Sequence, residues 1–277
     1  MLYLCATPIG NLEDMTFRVI NILKNADLIA AEDTRNSIKL LNHFDIHTPM
    51  TAYHEFNKVE KAKELVEFML EGKDVAVITD AGTPGISDPG EELCRQARAA
   101  GITVTSVPGA CACITALTMS GLPTRRFCFE AFLPTDKKEL KRVLEELKDE
   151  TRTTVLYEAP HRLLKTLQLL LDELGDRRMT VTKELTKKHE NSYEGRISDH
   201  IAYFSANEPK GEYVLVMEGR SFEELDRESR DQWENISLSE HVQMYIDKGM
   251  DKKEAMRAAA SDRGISKRDV YNALLEQ

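Results

Sequence analysis

Three short stretches of the 277-residue chain place acidic and basic side chains directly after apolar segments. They are Glu32-Asp-Thr-Arg35, Glu158-Ala-Pro-His-Arg162 and Lys183-Glu-Leu-Thr-Lys187. Each combines a carboxylate with a cation, as is needed to accept a proton from a polar substrate and to stabilise an oxyanion. The competing interpretation of the first stretch is a helix N-terminus, where acidic side chains favour the helix dipole and Arg35 pairs locally.

Three other stretches are rich in glycine and proline, namely Thr7-Pro-Ile-Gly-Asn11, Asp80 to Gly90 and Val107-Pro-Gly-Ala-Cys111. The middle one has three glycines and two prolines in eleven residues. A backbone with few β-carbons lets a ligand approach closely and contact N–H and C=O groups directly. One such cluster alone is often an ordinary surface turn, and the sequence has neither a G-x-G-x-x-G nor a P-loop motif. Three of them in order are more specific.

The elements that must position these groups follow an α/β pattern. Each glycine loop follows a short apolar segment, respectively Leu2 to Ala6, Val75 to Ile78 and Thr103 to Val107, and the last two loops precede helical patterns. Repeated strand and helix alternation predicts a parallel sheet with right-handed crossovers. Because open α/β sheets bind ligands at the carboxyl ends of their strands, we expect all three loops to line one ligand-binding edge.

The second half of the chain contains further strand-like segments, which deliver the two later acid and base motifs at their ends. These segments are Phe127 to Leu133, Thr153 to Tyr157, Met179 to Thr182 and Tyr213 to Met217. The predicted fold class is therefore α/β, with an N-terminal α/β domain at residues 1–121 and a second, mixed α/β domain at residues 122–220. Their strand-end motifs are expected to face each other across a cleft.

Residues 221–240 contain seven acids and two arginines, which predicts a solvated acidic linker, with room for a short helix. Residues 241–277 form a predicted C-terminal helical module with three helical patterns. Two of them are joined through Arg263-Gly-Ile-Ser266, and with Ser266 as N-cap this arrangement resembles a helix-turn-helix. Such trihelical units serve packing or dimer contacts about as often as nucleic-acid binding, so both roles stay open.

Bulk composition narrows the class of protein. A hydrophobic content of 42% and a charged content of 30% are typical of a soluble globular protein, and no apolar run reaches membrane-span length, so a cytoplasmic protein is expected. Five cysteines without a C-x-x-C pair or a histidine at ligand spacing predict reduced thiols and no metal site. A net charge of -10 means that any RNA contact requires locally concentrated basic residues.

Six motifs together resemble those of the tetrapyrrole methylase superfamily. They are Thr7-Pro-Ile-Gly-Asn-Leu12, Ala31-Glu-Asp-Thr-Arg35, Asp80 to Gly90, Pro108-Gly109, Tyr157-Glu-Ala-Pro-His-Arg162 and Lys183-Glu-Leu-Thr-Lys187. Within the superfamily, the chain is similar to the branch that acts on ribosomal RNA. That resemblance implies an S-adenosylmethionine (SAM) dependent enzyme without metal. It also implies 2′-O-methylation of a cytidine ribose in 16S rRNA, in the decoding region of the small ribosomal subunit. A homodimer is expected as well.

The resemblance also implies which residues contact the cofactor. Those in the first half are Pro8, Asp80, Gly82, Thr83, Ile86, Ser87, Gly109 and Cys111, and those in the second half are Leu133, Tyr157 and Leu185. Asp80 and Asp88 are the nearby carboxylates that favour the sulfonium cation. For Cys111 a purely structural role is an equal alternative.

Methyl transfer to a ribose hydroxyl is an in-line displacement, so positioning supplies much of the acceleration and a base takes the proton. The candidate bases are Asp33, Glu158, His161 and Glu184, with Lys183 or Arg35 stabilising the oxyanion. Asp33 and Glu184 rank first because each lies beside a cation in its motif.

Basic residues near the strand-end motifs are predicted to place the RNA. They are Arg35, Arg125, Arg126, Arg162, Lys187 and Lys188. Tyr53 or Phe56 is expected to support an unstacked cytosine.

Two other functions would explain part of the pattern. A corrin or porphyrinogen C-methyltransferase would share the glycine loops, but it would not require Glu32 to Arg35, Tyr157 to Arg162 or the helical tail. A non-enzymatic regulator that binds nucleic acid would explain the tail alone. Failure to bind SAM would distinguish the regulator from either enzyme.

Overall fold

The computed structural model describes residues 1–233 and 235–275. The chain forms two compact units, the first of which comprises Met1–Leu140 and Thr153–Glu218. The second comprises Lys141–Arg152 and the chain from Gly219 onward. The predicted domain at residues 1–121 and most of the one at residues 122–220 fall within the first unit, whereas residues 141–152 and 219–220 fall within the second. The predicted boundaries after residues 121 and 240 stay predictions.

The first sheet has five strands in the order β3-β2-β4-β1-β5, and every pair of neighbours is parallel. The strands are β1 (Leu2–Cys5), β2 (Leu28–Ala31), β3 (Met50–Ala52), β4 (Val75–Ile78) and β5 (Val104–Val107). The central strand β4 is buried along its whole length. A strand covered on both faces requires an uninterrupted apolar run, which explains its sequence Val-Ala-Val-Ile. The predicted parallel sheet is confirmed.

Four helices connect these strands and cover both faces of the sheet. They are α1 (Phe17–Asn25), α2 (Thr34–His43), α3 (Lys58–Leu70) and α4 (Glu91–Ala99). A fifth helix, α5 (Ala112–Met119), follows β5 and packs against the second sheet. Alternate strand residues face opposite layers: Ala76 and Ile78 join the core with α1 and α2, whereas Val75 and Val77 join the core with α3 and α4. Thr16 caps α1, because its hydroxyl accepts the Val19 N–H at 3.2 Å.

The second sheet is mixed and has the strand order β6-β7-β10-β8-β9. Its strands are β6 (Phe127–Ala131), β7 (Thr153–Glu158), β8 (Arg178–Lys183), β9 (Asn191–Arg196) and β10 (Tyr213–Met217). The same part of the chain contains the helices α6 (Lys137–Lys148), α7 (Leu163–Leu174) and α8 (Ile197–Ala206). Only β6 and β7 pair in parallel. The edge strand β9 was not anticipated, because exposed polar residues dominate it.

The second unit contains most of α6 together with α9 (Phe222–Asp231), α10 (Leu238–Asp247), α11 (Lys252–Arg263) and α12 (Lys267–Leu275). Much of the predicted linker at residues 221–240 is therefore helical. Ser221 and Glu224 form a capping box that starts α9, so the acidic side chains stabilise a helix end rather than an extended linker. Among the described residues, none of the helices is long and apolar enough to cross a membrane.

The three predicted C-terminal helices are confirmed, and so is the predicted cap Ser266, whose hydroxyl accepts the Asp269 N–H. Their core contains Val242, Ala255, Ala259 and Val270. Ile265 stays outside this core and is 39% exposed, because it lies in the short turn between α11 and α12.

Candidate active site

The three glycine loops lie at one edge of the first sheet and are joined to one another. Thr7 and Gly82 exchange two backbone hydrogen bonds of 2.8 and 3.0 Å, which connects the first loop to the second. The Thr83 hydroxyl donates to the Ala110 carbonyl at 3.0 Å and so connects the second loop to the third. The predicted arrangement of these loops at a common sheet edge is therefore observed.

A cavity of about 340 Å³ opens above these loops and is also lined by the second sheet. Six of the predicted cofactor residues line it: Gly82, Thr83, Ile86, Cys111, Tyr157 and Leu185. The other lining residues are Ile9, Ala81, Asp88, Ala112, Phe132, Glu158, Ala159, Pro160, Glu212, Tyr213 and Val214. The site is thus a mostly apolar pocket with few charged groups, a combination typical of small-molecule sites.

The remaining predicted cofactor residues lie outside the lining, and their role stays a prediction. They are Pro8, Asp80, Ser87, Gly109 and Leu133. A β-carbon at Gly109 would lie 2.6 Å from the β-carbon of Ala6, so the packing of the third loop against β1 explains this glycine. Gly82 differs, because it has a φ of +85° and its backbone forms part of the pocket wall.

Asp33 and Arg35 form an exposed ion pair at the start of α2. The Asp33 carboxylate accepts the Arg35 backbone N–H and two guanidinium hydrogen bonds of 3.0 and 2.7 Å. These side-chain bonds and the backbone bond lower the pKa of Asp33 to about 2. The carboxylate thus caps the helix and is a weak base, while the Arg35 side chain remains 88% exposed. The proposed roles of both residues stay predictions.

Glu184 stabilises the local backbone of the second sheet. Its φ is +52°, and its carboxylate accepts the Glu212 backbone N–H and the Lys187 ammonium, each at 2.9 Å. Burial opposes a lowered pKa, but these hydrogen bonds and the positive charges of Lys187 and Lys183 lower the pKa of Glu184 overall. Lys187 also pairs with Glu212, so it is already neutralised within the protein.

Glu158 and Arg162 are held between β7 and α7. The Glu158 side chain is fully buried, and its carboxylate accepts the Thr166 hydroxyl at 2.5 Å and the Ala159 N–H at 2.8 Å. Arg162 approaches the same carboxylate at 3.4 Å and donates to the Leu133 carbonyl at 2.9 Å. Although Glu158 contributes to the pocket wall, its carboxylate is already bound to Thr166, Ala159 and Arg162.

A second group of acids lies near the glycine loops. Glu32 follows β2, and its carboxylate accepts the Asp80 N–H at 3.3 Å; burial is the main cause that raises its pKa. Asp88 lies in the loop after β4 and lines the cavity. Burial, followed by the negative charges of Glu32 and Asp80, raises the pKa of Asp88 to about 7. The sequence placed Asp88 near the cofactor but contained no sign of this shift.

Cys111 and Cys113 lie at the start of α5 with their sulfur atoms 3.4 Å apart. The hydrogen bond from Cys113 lowers the pKa of Cys111, and the N–H groups of the helix N-terminus act in the same direction. Within the described residues, no group of three or more histidine, cysteine, aspartate or glutamate side chains is arranged to hold a metal ion.

Of the residues predicted to place RNA, Arg35, Arg125, Arg126 and Lys188 are exposed, whereas Arg162 and Lys187 are partly buried in ion pairs. The prediction that Tyr53 supports a base is wrong. Tyr53 is 1% exposed, and its hydroxyl accepts the Leu93 N–H, so its ring lies in the core. Phe56 is 97% exposed and remains available.

The fold and the pocket define an α/β protein with two sheets, in which glycine loops of a parallel sheet line a pocket of small-molecule size. The chain belongs to the tetrapyrrole (corrin/porphyrin) methylase family, whose model matches residues 1–200.

Known proteins resemble this chain either in sequence over most of its length or in fold alone. A ribosomal RNA small subunit methyltransferase I from Bacillus subtilis is 48% identical over 273 residues, 99% of this chain and 93% of that protein. The protein of that name from Thermotoga maritima is 42% identical over 219 residues, 79% of this chain and 98% of its own length. The crystal structure of a uroporphyrin-III-C-methyltransferase from Thermus thermophilus has a TM-score of 0.55 and 20% identity, covering 78% of this chain and 93% of that one. At this identity, the comparison with that structure shows similarity of fold alone.

Proposed function

We propose that the protein is a SAM-dependent methyltransferase that methylates the ribose 2′-hydroxyl of a cytidine in 16S rRNA. The observation that carries this proposal is the full-length similarity to ribosomal RNA small subunit methyltransferase I, at 48% identity over 99% of the chain. The choice of a cytidine and of its ribose 2′-hydroxyl is inferred from the motif resemblance. A cytoplasmic location, a homodimeric state and the small ribosomal subunit as partner belong to the same proposal.

The pocket residues fit SAM chemically. Apolar side chains such as Ile9, Ile86 and Leu185 offer a surface to the adenine, and the backbone of Gly82 leaves room for close approach. The unpaired carboxylate of Asp88 and the thiol of Cys111 line the same cavity and are polar groups that a ligand can contact. When bound, the cofactor supplies an electrophilic methyl group. The protein must then bind the two reactants, orient them and exclude water.

The chain's own cations suit an RNA substrate despite the net negative charge. Arg35 projects from the edge of the first sheet, and Arg125, Arg126 and Lys188 are exposed elsewhere in the first unit. In the second unit, the exposed cations include Lys252, Lys253, Arg257 and Arg268. Arg263 is excluded from this role, because its guanidinium donates to His241 and to the backbone carbonyl of Ile236.

The two alternatives lack comparable support. A corrin or porphyrinogen C-methyltransferase shares the fold, but fold likeness at 20% identity does not carry over the substrate. A non-enzymatic RNA-binding protein would not need a cavity of about 340 Å³ at the glycine loops. SAM binding separates the regulator from both enzymes, and the methylated product separates the enzymes from each other.

We expect SAM to stabilise the protein without added metal. A ligand present at about a hundred times its dissociation constant adds roughly 2.7 kcal/mol to the free energy of unfolding. For a chain of this size, that corresponds to an increase in Tm of roughly 5–10 °C. Thermal melts with and without SAM, in the presence and absence of EDTA, measure the effect. An unchanged Tm would contradict the cofactor assignment, and loss of the shift in EDTA would indicate a metal.

The exposed cations of α11 are expected to contribute to RNA affinity. Replacing Lys252, Lys253 and Arg257 with glutamine removes charge without touching the buried core of the module. The dependence of RNA binding on salt should become shallower by roughly one log unit for each phosphate group that the variant no longer neutralises. Binding of 16S rRNA is measured by filter binding across a salt series.

A matched control replaces the exposed lysines Lys24, Lys63 and Lys165 of three other helices with glutamine, and we expect it to leave the salt slope unchanged. The SAM-dependent Tm shift should persist in both triple variants, because the cavity is built entirely from the first unit. Equal salt slopes for wild type and the α11 variant would show that this helix does not contact RNA.

A further inference from the structure

Asp88 is a pocket carboxylate without a structural task. It lies in the loop between β4 and α4 and lines the cavity. The other two acids of the lining are engaged, since Glu158 is bonded to Thr166 and Glu212 is paired with Lys187. By contrast, no hydrogen bond or ion pair engages the Asp88 side chain within residues 1–233 and 235–275. Its oxygens are therefore available to a ligand.

The surroundings of Asp88 keep its carboxylate able to exchange a proton near neutral pH. Glu32 at the end of β2, Asp80 at the end of β4 and Cys111 at the start of α5 all add negative potential. Burial is the largest contribution, and together these effects raise the pKa of Asp88 to about 7. From the second sheet, Glu158 and Glu212 line the same cavity, and both are bound to their own partners.

We propose that Asp88 is the catalytic residue that accepts the proton of the ribose 2′-hydroxyl, an inference that rests on the proposed function. The 2′-oxygen forms a bond to the methyl carbon while the carbon–sulfur bond breaks and leaves its electron pair on sulfur. The hydroxyl proton passes to a carboxylate oxygen of Asp88 and is later released to water. A base works best when its pKa lies near the working pH, which an unpaired and partly buried carboxylate provides.

This assignment differs from the sequence-based choice of Asp33 or Glu184. Both of those carboxylates have lowered pKa values and are occupied by hydrogen bonds to neighbouring cations and N–H groups. Neither lines the cavity. Because hydrogen bonds and nearby cations stabilise the charged form, such a carboxylate is a weaker base. Asp33 and Glu184 are therefore better suited to maintaining local structure than to removing a proton.

The first test is Asp88→Asn, which keeps the side-chain volume but removes the base. Turnover on small ribosomal subunits lacking the modification should fall by roughly a hundredfold or more, while KM for the subunit stays within a few-fold. The affinities for SAM and for its demethylated product S-adenosylhomocysteine should both remain near wild type by calorimetry. Wild-type turnover would overturn the proposal. A selective loss of SAM affinity would do so as well, because it would mean that Asp88 binds the sulfonium charge.

The second test follows the pH dependence of the reaction. Wild-type kcat/KM should fall tenfold per pH unit below about 7, and the residual activity of Asp88→Asn should lack this decrease.

The pH dependence of thermal stability gives a measurement that does not depend on catalysis. Because folding raises the pKa of Asp88, the native protein binds more protons than the unfolded chain between about pH 4 and 7, so wild-type stability falls as pH rises through this range. The Tm advantage of Asp88→Asn should therefore grow from pH 4 to 8. A pH-independent difference would contradict the proposal.

Controls separate this inference from the proposed function. Asp172→Asn removes an exposed carboxylate on α7 and should leave turnover and both pH profiles unchanged. Asp33→Asn and Glu184→Gln test the alternative base in parallel, and loss of the pH limb in either one would overturn the assignment to Asp88. If the wild type itself neither binds SAM nor methylates the subunit, the proposed function fails. If it does both and Asp88→Asn does too, only this inference fails.

Discussion

Replacing Ala112 with tryptophan is expected to abolish detectable SAM binding while leaving the protein folded. Ala112 is the first residue of α5 and lines the cavity, so an indole would occupy much of the space of about 340 Å³. A hundredfold loss of affinity would reduce the stabilisation by SAM from about 2.7 to about 0.4 kcal/mol at the same ligand concentration. The SAM-dependent increase in Tm measures this loss of stabilisation.

Thr118→Trp is the matched control, because it adds the same side chain to an exposed position of the same helix. It should retain the full Tm shift. Circular dichroism and the Tm without ligand establish that both variants are folded. If Ala112→Trp kept the shift, SAM would have to bind away from this cavity, and the assignment of the pocket would be wrong.

The second large effect is expected for Glu158→Ala, which should destabilise the protein by about 3 kcal/mol. The change leaves the Thr166 hydroxyl and the Ala159 N–H without their acceptor, and it leaves Arg162 without its counterion. For a protein of this size, Tm should fall by roughly 6–12 °C. Denaturant unfolding measures the free energy, provided that the transition is two-state.

Glu158→Gln keeps one acceptor oxygen and should lose only about 1 kcal/mol. Glu173→Ala, at an exposed position of α7, should change stability little. The activity and the stability of Glu158→Gln together also test the sequence-based prediction that Glu158 is a catalytic group. A stable but inactive Glu158→Gln protein would favour catalysis, whereas retained activity with reduced stability would favour the structural role.

Features set by local chemistry could be predicted from the sequence. The parallel sheet follows from apolar runs such as Val75 to Ile78, which alternate with helical patterns. Ser266 caps α12 because a hydroxyl in that position can accept an N–H group of the first turn. The meeting of the three glycine loops also follows from local rules, since the ends of parallel strands lie at one edge of the sheet.

Features set by distant contacts could not be predicted in this way. Tyr53 was expected to face a base, yet its hydroxyl bonds to the N–H of Leu93 on another element. The strand β9 has mostly exposed polar residues and is fixed by its pairing with β8. The unpaired state of Asp88 depends on which cations and donors fold near it, and no local pattern of residues reports that.

The cross-linking of the three glycine loops has a consequence for how the protein meets its ligand. The Thr7 and Gly82 backbone pair and the bond from Thr83 to Ala110 hold the loops together without any ligand. Loops that are already ordered lose little conformational entropy on binding, so more of the interaction energy is retained as affinity. The pocket floor is therefore preorganised for the ligand that it binds.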